Sequence, residues 1–375
     1  MASPAPSLIH ALMPFKEHYT HQNAGAVAMV CRDMITSSKL GDKVHVFGRA
    51  LNHDPISRPY TALDPEMSFL FGNNLGLARA YLTHLKTLGK QPDLVEVHGR
   101  CQVAAYIAKK RPDLKVILIL HNDPREMKGA KTVEERRFLA QHLSGVFAVS
   151  SYLMSCFKDG LSKNDLKNLT MQVTPHGVDP VKDSEKVIAD KKNTIVITGR
   201  MVPEKGMLEA AKALAAVLPN HPEWSARFIG AKAFANANAS PYEQEIANTL
   251  APLSDQACSL GFVPLEIVRK EQIEAAIAIT PSVWQEPAGR VVLEALSSGC
   301  ALITTRRGGI PEYAEGRSII LDDVTPQIIA NALENLIQNK KERLALQKAA
   351  LKDYPYTLNA AGSALDQGRL AVFKS

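Results

Sequence analysis

Thr194-Ile195-Val196-Ile197-Thr198-Gly199-Arg200-Met201-Val202-Pro203-Glu204-Lys205-Gly206 is a β-branched apolar run that passes through a glycine-bounded loop into a helical pattern near 204–217. Strand, loop and helix in that order are the repeating unit of parallel α/β proteins. Open sheets of this class bind ligands beyond the C-terminal ends of their strands, where this loop falls. Its two cations suit a diphosphate: Arg200 can clamp phosphate oxygens in a fork, and Lys205 acts as a mobile point charge. Neither a P-loop nor a GxGxxG fingerprint is present, which removes the main support for a kinase or a dehydrogenase.

The alternation continues in both directions. Upstream, residues 43–47, 94–98, 116–120, 146–149 and 171–174 read as strands with helical stretches between them. Among these helices are 24–38, with Asn23 as the expected N-cap, and 102–111. Downstream, 227–229, 275–279, 301–304 and 318–321 read as strands, with helices near 241–251, 264–271, 287–298, 326–338 and 340–352. A chain of 375 residues exceeds what one core usually holds, so two domains are expected. The polar stretch 179–193 marks the break, which places the domains at 1–185 and 186–355. A last helical stretch, 358–373, lies in a tail of residues 356–375.

Hydrophobic residues make up 46% of the chain and charged residues 22%, ordinary values for a globular protein. No apolar run approaches the length of a membrane span. Residues 1–20 lack a basic segment leading into an apolar one, so translocation is not expected. The five cysteines are scattered and form no CxxC pair, which disfavours a disulfide framework or zinc site and points to a reducing cytoplasm. The net charge of +6 lies mostly in the first half, where 24 Lys and Arg face 19 Asp and Glu in residues 1–190. Lys109-Lys110-Arg111 and Arg125, Lys128, Lys131, Arg136 and Arg137 supply much of the excess. Such a half suits an anionic partner or the anionic inner membrane surface, although solvated helix faces would look the same.

A second informative stretch is Pro281-Ser282-Val283-Trp284-Gln285-Glu286-Pro287-Ala288-Gly289-Arg290-Val291-Val292-Leu293-Glu294-Ala295-Leu296. Its small-residue turn, Pro287-Ala288-Gly289, opens an apolar helix, with Pro expected at the first helical position. A helix start draws phosphate through its N–H groups and its dipole. Glu286 then precedes the helix, and Glu294 lies a little over two turns further on. Carboxylates accept hydrogen bonds in pairs, which suits vicinal sugar hydroxyls. The spacing reads as a site for a phosphate-linked sugar.

Taken in order, these segments carry a resemblance. They comprise a strand with Gly-Arg-x-x-x-Glu-Lys-Gly, then Pro-Ser-x-x-x-Glu-Pro-x-Gly-x-x-x-x-Glu-Ala about eighty residues later, then Arg307-Gly308-Gly309-Ile310-Pro311-Glu312. Together they resemble the C-terminal domain of retaining glycosyltransferases of family 4, and Glu286 and Glu294 match that family's E-x7-E motif. The resemblance is specific over 194–321. It implies an α/β protein of GT-B architecture: two Rossmann-like parallel-sheet domains facing a cleft, with the nucleotide sugar held mainly by the second. It also implies that the last helix crosses back to the first domain.

By the same resemblance, Arg200 and Lys205 bind the donor diphosphate and Glu286 contacts hydroxyls of the transferred sugar. The backbone of Ala288, Gly289, Arg290 and Val291 approaches sugar and phosphates, Glu294 binds the ribose, and Phe262 and Val263 lie near the base. In the first half, Gly25 could let a helix N-terminus approach the donor phosphate or the acceptor, although the family more often has paired glycines there. His121 follows the apolar run 116–120, at a position where related enzymes contact the transferred sugar near its reacting carbon. His98 ends another strand and reads equally as structural or functional, and Ser150 and Ser151 read equally as site residues or helix N-caps. His176-Gly177-Val178-Asp179 resembles the segment leading into the interdomain linker. Arg200, Lys205, Glu286 and His121 are thus the expected catalytic set.

No DxD triplet occurs, so no metal and no other cofactor is expected, with a nucleoside diphosphate sugar as co-substrate. The expected reaction is retaining hexosyl transfer from a UDP- or GDP-linked donor to a saccharide or lipid-linked saccharide, in lipopolysaccharide or polysaccharide synthesis. No nucleic acid is expected among its partners. A nucleotide-sugar epimerase, a sugar-phosphate synthase on the same fold, or a non-catalytic nucleotide-sugar-binding protein would share these features.

Overall fold

A computed structural model describes residues 5–21, 24–57, 59–65, 72–232 and 239–374. Asn23, the expected N-cap, lies outside the described residues. The chain forms two compact units: residues up to Gly177 together with those from Leu358 onward, and Val178–Thr357.

The first unit begins with β1 (Ile9–Leu12), α1 (Ala26–Ser37), β2 (Val44–Gly48), β3 (Tyr60–Ala62), α2 (Gly72–Leu85) and β4 (Leu94–His98). It continues with α3 (Cys101–Lys110), β5 (Val116–Leu120), α4 (Val133–His142), β6 (Gly145–Ala148), α5 (Ser151–Lys158), α6 (Lys163–Leu166) and β7 (Thr170–Val173). Its seven strands are ordered β3-β2-β1-β4-β5-β6-β7 and all pair in parallel. Such a sheet has helices on both faces, which is why β4 and β5 are buried along their whole length.

The second unit runs α7 (Ser184–Ala189), β8 (Lys192–Thr198), α8 (Met207–Val217), β9 (Ser225–Ile229), α9 (Pro241–Leu250), β10 (Ala257–Gly261) and α10 (Leu265–Glu274). There follow β11 (Ala275–Thr280), α11 (Arg290–Ser297), β12 (Ala301–Thr305), α12 (Ile310–Ala314), β13 (Ser318–Leu321), α13 (Pro326–Gln338) and α14 (Lys340–Leu351). Its six strands are ordered β10-β9-β8-β11-β12-β13, again all parallel. Ile195, Ile197, Phe228, Ile277, Ile303 and Leu333 are fully buried in its core. The last helix, α15 (Leu358–Ala371), packs against α1 and β7 of the first unit. No helix among the described residues is long and apolar enough to cross a membrane.

Two features differ from the sequence reading. α11 starts at Arg290, capped by Gly289 in the left-handed region (φ 74°), so Pro287 sits in the preceding turn and not at the first helical position. Three strands had not been expected: β1, β3 and β10. Each sheet reverses its direction of growth once, between β1 and β4 and between β8 and β11. At such a switch point the loops leaving neighbouring strands diverge to opposite faces and open a crevice at the strand ends.

Candidate functional site

The loop leaving β8 and the loop leaving β11 are the two sequence stretches singled out above, and β8 and β11 flank the switch point of the second unit. The two loops interlock through their backbones. The Val283 N–H donates to the Glu204 carbonyl (3.0 Å), and Ser282 Oγ reaches the same oxygen (3.2 Å). Gly206 (φ 65°) lies so close to Pro281 that a Cβ would stand 2.0 Å from its carbonyl oxygen. A third loop, after β12, holds the turn from the other side. The Gly309 N–H donates to the Glu286 carbonyl (2.8 Å) and the Gly308 N–H to Gln285 Oε1 (2.5 Å). The Arg307-Gly308-Gly309 segment therefore serves to pin the backbone of Glu286.

Lys205 and Glu286 meet in this crevice as an ion pair between Nζ and Oε1, 81 positions apart in sequence. Ser282 Oγ donates to the same carboxylate oxygen (2.7 Å), and the Lys205 ammonium stands 5.7 Å from the centroid of the Trp284 ring. Glu286 is buried, whereas Arg200 is exposed. Lys205, Glu286, Gly289 and Val291 wall a cavity of only about 10 Å³, room for a single water at most. Ala288 is buried beside it. On α11, Glu294 Oε1 accepts from Arg290 Nε (3.0 Å), one turn back on the same face. The far end of α11 is closed by Arg269 of α10, which donates to the Glu294 carbonyl (2.9 Å) and to Ser297 Oγ (2.8 Å). A cation on the last carbonyls of a helix complements its dipole.

Arg200 faces a second cavity of about 250 Å³ beyond β8, β9 and β10, shared with Thr198, Gly230, Phe262, Val263 and Val268. The walls are mostly apolar and Phe262 is exposed into them, so a flat, weakly polar group is the natural occupant. Thr198 Oγ1 and Trp284 Nε1 are buried without a hydrogen-bond partner in this structure, and sequence reasoning singled out neither.

In the first unit, Gly25 caps α1, but the carboxylate of Glu17 sits on that helix start. Glu17 Oε2 accepts from the Ala28 N–H (3.2 Å) and would lie 2.4 Å from a Cβ at Gly25. Burial pushes the Glu17 carboxyl up, opposed by the Ala28 N–H and by Arg100. An anion of the chain's own thus occupies the place suggested for a phosphate. His121 and His98 come together at the ends of β5 and β4: His98 Nδ1 lies 3.1 Å from His121 Nε2, with the rings stacked at 15°. Burial depresses both, His98 to about 3 and His121 well below its ordinary value, the latter helped by His98 and Arg100. Ser150 is the N-cap of α5 and accepts from the Leu153 N–H (3.1 Å). Glu17 carried no signal in the sequence, because it acts only through the helix start that the fold brings to it.

Comparison with known proteins bears on the family and the fold. The family described as Glycosyl transferases group 1 matches residues 179–353. Spore coat protein SA of Bacillus subtilis (strain 168) is 27% identical over 278 residues, covering 70% of this chain and 73% of that protein. The putative glycosyltransferase YtcC of the same organism is 26% identical over 276 residues, covering 69% and 67%. Among solved structures, Anabaena Alr3699/HepE in complex with UDP and glucose superposes with a TM-score of 0.71 at 16% identity, covering 96% of this chain and 98% of that one. Residues 179–353 thus match the glycosyl transferases group 1 family, and the chain has the GT-B fold.

Proposed function

We propose that the protein is a retaining, metal-independent hexosyltransferase, moving a hexose from a UDP- or GDP-linked donor to a hydroxyl of a saccharide or lipid-linked saccharide. The observation that carries this reading is the convergence of the Arg200–Lys205 loop and the Glu286–Glu294 segment at one switch point. Arg200 and Lys205 take the diphosphate, Glu286 the hydroxyls of the sugar, Glu294 the ribose, and the backbone of 288–291 the phosphates. The base occupies the cavity at Phe262 and Val263. His121 meets the transferred sugar. The bond from the anomeric carbon to the diphosphate oxygen breaks as the acceptor oxygen attacks from the same face. The departing phosphate oxygen takes the acceptor proton. Arg200, Lys205 and the start of α11 stabilise the charge that develops on the leaving group, a task for preorganised donors and dipoles. The basic surface of the first unit suits an acceptor of envelope polysaccharide or lipopolysaccharide synthesis presented at an anionic membrane surface.

Thermal shift with UDP, GDP and ADP identifies the base, because a selective ligand raises the melting temperature by mass action. Incubation with the matching sugar donor should then release nucleoside diphosphate only when an acceptor is supplied, with undiminished rate in EDTA. Rapid epimer formation from donor alone would replace the transferase reading with an epimerase.

A further inference from the structure

Two other clusters, the His10–Tyr81 pair and the surface around Arg125 and Cys156, are internally satisfied packing arrangements. The cluster at the ends of β4 and β5 differs, because one of its members has an assigned task. We infer that His98 is a positioning residue for His121: its Nδ1–H donates to His121 Nε2, and the Cys31 thiol, donating to His98 Nε2, fixes the tautomer of both rings. This rests on the reading of His121 as the group that meets the transferred sugar.

The geometry carries the inference. The His98 Nδ1 to His121 Nε2 distance is 3.1 Å, the ring centroids are 5.3 Å apart, and Cys31 Sγ lies 3.6 Å from His98 Nε2 on the far side. All three side chains are buried, so both nitrogens of His98 and Nε2 of His121 find their partners within this row. The backbone beside them is fixed as well, with the Gly99 N–H donating to the Ile119 carbonyl (2.8 Å). With both rings neutral, only one proton lies between them, and the far end of the row decides which ring holds it. Burial pushes the Cys31 thiol up, so it remains S–H. Imidazole nitrogen is a good acceptor and thiol sulfur a poor one, so the S–H points to His98 Nε2. His98 then carries its proton on Nδ1 and gives it to His121 Nε2. His121 is left with an Nδ1–H, an uncharged donor suited to a sugar hydroxyl beside a carbon that becomes positive.

The test uses the full chain with histidine ring nitrogens labelled with ¹⁵N. In the unliganded protein, NMR should find His98 protonated on Nδ1, and His121 protonated on Nδ1 with Nε2 bare. His98→Leu should lose the fixed His121 tautomer and cut kcat by about ten- to a hundredfold, with KM for the donor selected among UDP-glucose, UDP-N-acetylglucosamine and GDP-mannose changing less than about threefold. His98→Asn, which keeps an N–H near the position of Nδ1, should recover most of the rate. Cys31→Ser should hold the tautomer and Cys31→Ala should not. If His98→Leu does not fold, the Asn, Ser and Ala variants carry the same comparison. A His121 proton on Nε2, or a tautomer and kcat indifferent to His98 and Cys31, overturns the inference. His121→Ala separates the two failures: unchanged transfer in that variant removes the role given to His121, whereas impaired transfer with indifferent His98 variants removes only the positioning.

Discussion

Lys205 and Glu286 bind each other although each is assigned a different part of the donor. The pair is largely buried, with side-chain exposures of 18% and 7%. Removing one partner of such a pair leaves an uncompensated charge, at a cost of about 3 kcal/mol. Lys205→Ala should therefore lower thermal stability as well as abolish transfer. Lys205→Ala combined with Glu286→Gln should regain most of the stability and none of the activity. A double variant no more stable than the single one would show that the pair is not what holds the two loops. Arg200→Ala, at an exposed position, should lose transfer while melting with the parent. At this scale the sequence disclosed residue types and not partners. Arg200, Lys205, Glu286 and Glu294 stand out because cations and carboxylates follow apolar strands. That Lys205 faces Glu286 across 81 positions, or that Glu17 reaches the start of α1, depends on strand order, which no local pattern encodes.

The elements that place these residues depend on backbone approaches that side chains would block. A Cβ at Gly206 would stand 2.0 Å from the Pro281 carbonyl oxygen, and one at Gly308, with φ at 56°, would stand 2.1 Å from that of Glu286. In both cases the obstacle is backbone and cannot swing away. Gly206→Ala and Gly308→Ala should each pry the loops apart, costing several-fold more stability than Gly261→Ala. Gly261 has a similar left-handed φ of 64° but nothing within 4 Å of its Cβ position, so it should lose only about 1 kcal/mol of strain. Equal losses in melting scans of the three variants would refute the steric account. Legibility at this scale follows local pattern more than burial: β13 is mostly half-buried, whereas the missed β1 is fully buried. β5 and β13 could be delimited from sequence because short runs of Val, Ile and Leu bounded by polar residues leave little choice. β1 was hidden by a buried histidine, His10, in a four-residue strand ending before Met13-Pro14. β3 and β10 are edge strands, one of three residues and one of small and polar residues, with little periodicity to detect. The start of α11 was read three residues early because a Pro near a helix start sits as readily in the preceding turn.

The two units differ in how they respond to acid. In the first, His10 and His98 are pushed down to about 3, chiefly by burial, and His121 is lowered in the same direction. A histidine depressed in the folded state binds fewer protons there than in the unfolded chain. Its contribution to stability is complete above the ordinary value of 6.5 and is lost as pH falls toward about 3. Glu17, raised by burial, works against this trend, one group against four, since burial lowers His45 as well. In the second unit the shifted carboxylates Glu243 and Glu274 are lowered from 4.5, so their effect begins at lower pH. Calorimetry at about pH 7.5 and about pH 5 should therefore show one transition falling by roughly 5 °C and the other nearly still. The falling one can be identified independently. Arg369 of α15 is bound to Glu96 of β4 through two hydrogen bonds of 2.7 and 2.8 Å, fully buried in the first unit. Arg369→Met strands the Glu96 carboxylate and should lower the transition of that unit by about 3–5 kcal/mol of stability. The transition that moves with Arg369→Met must also be the one that moves with pH. If acid instead shifts the transition that Arg369→Met leaves alone, the buried histidines of β1, β4 and β5 are not what makes the fold acid-sensitive.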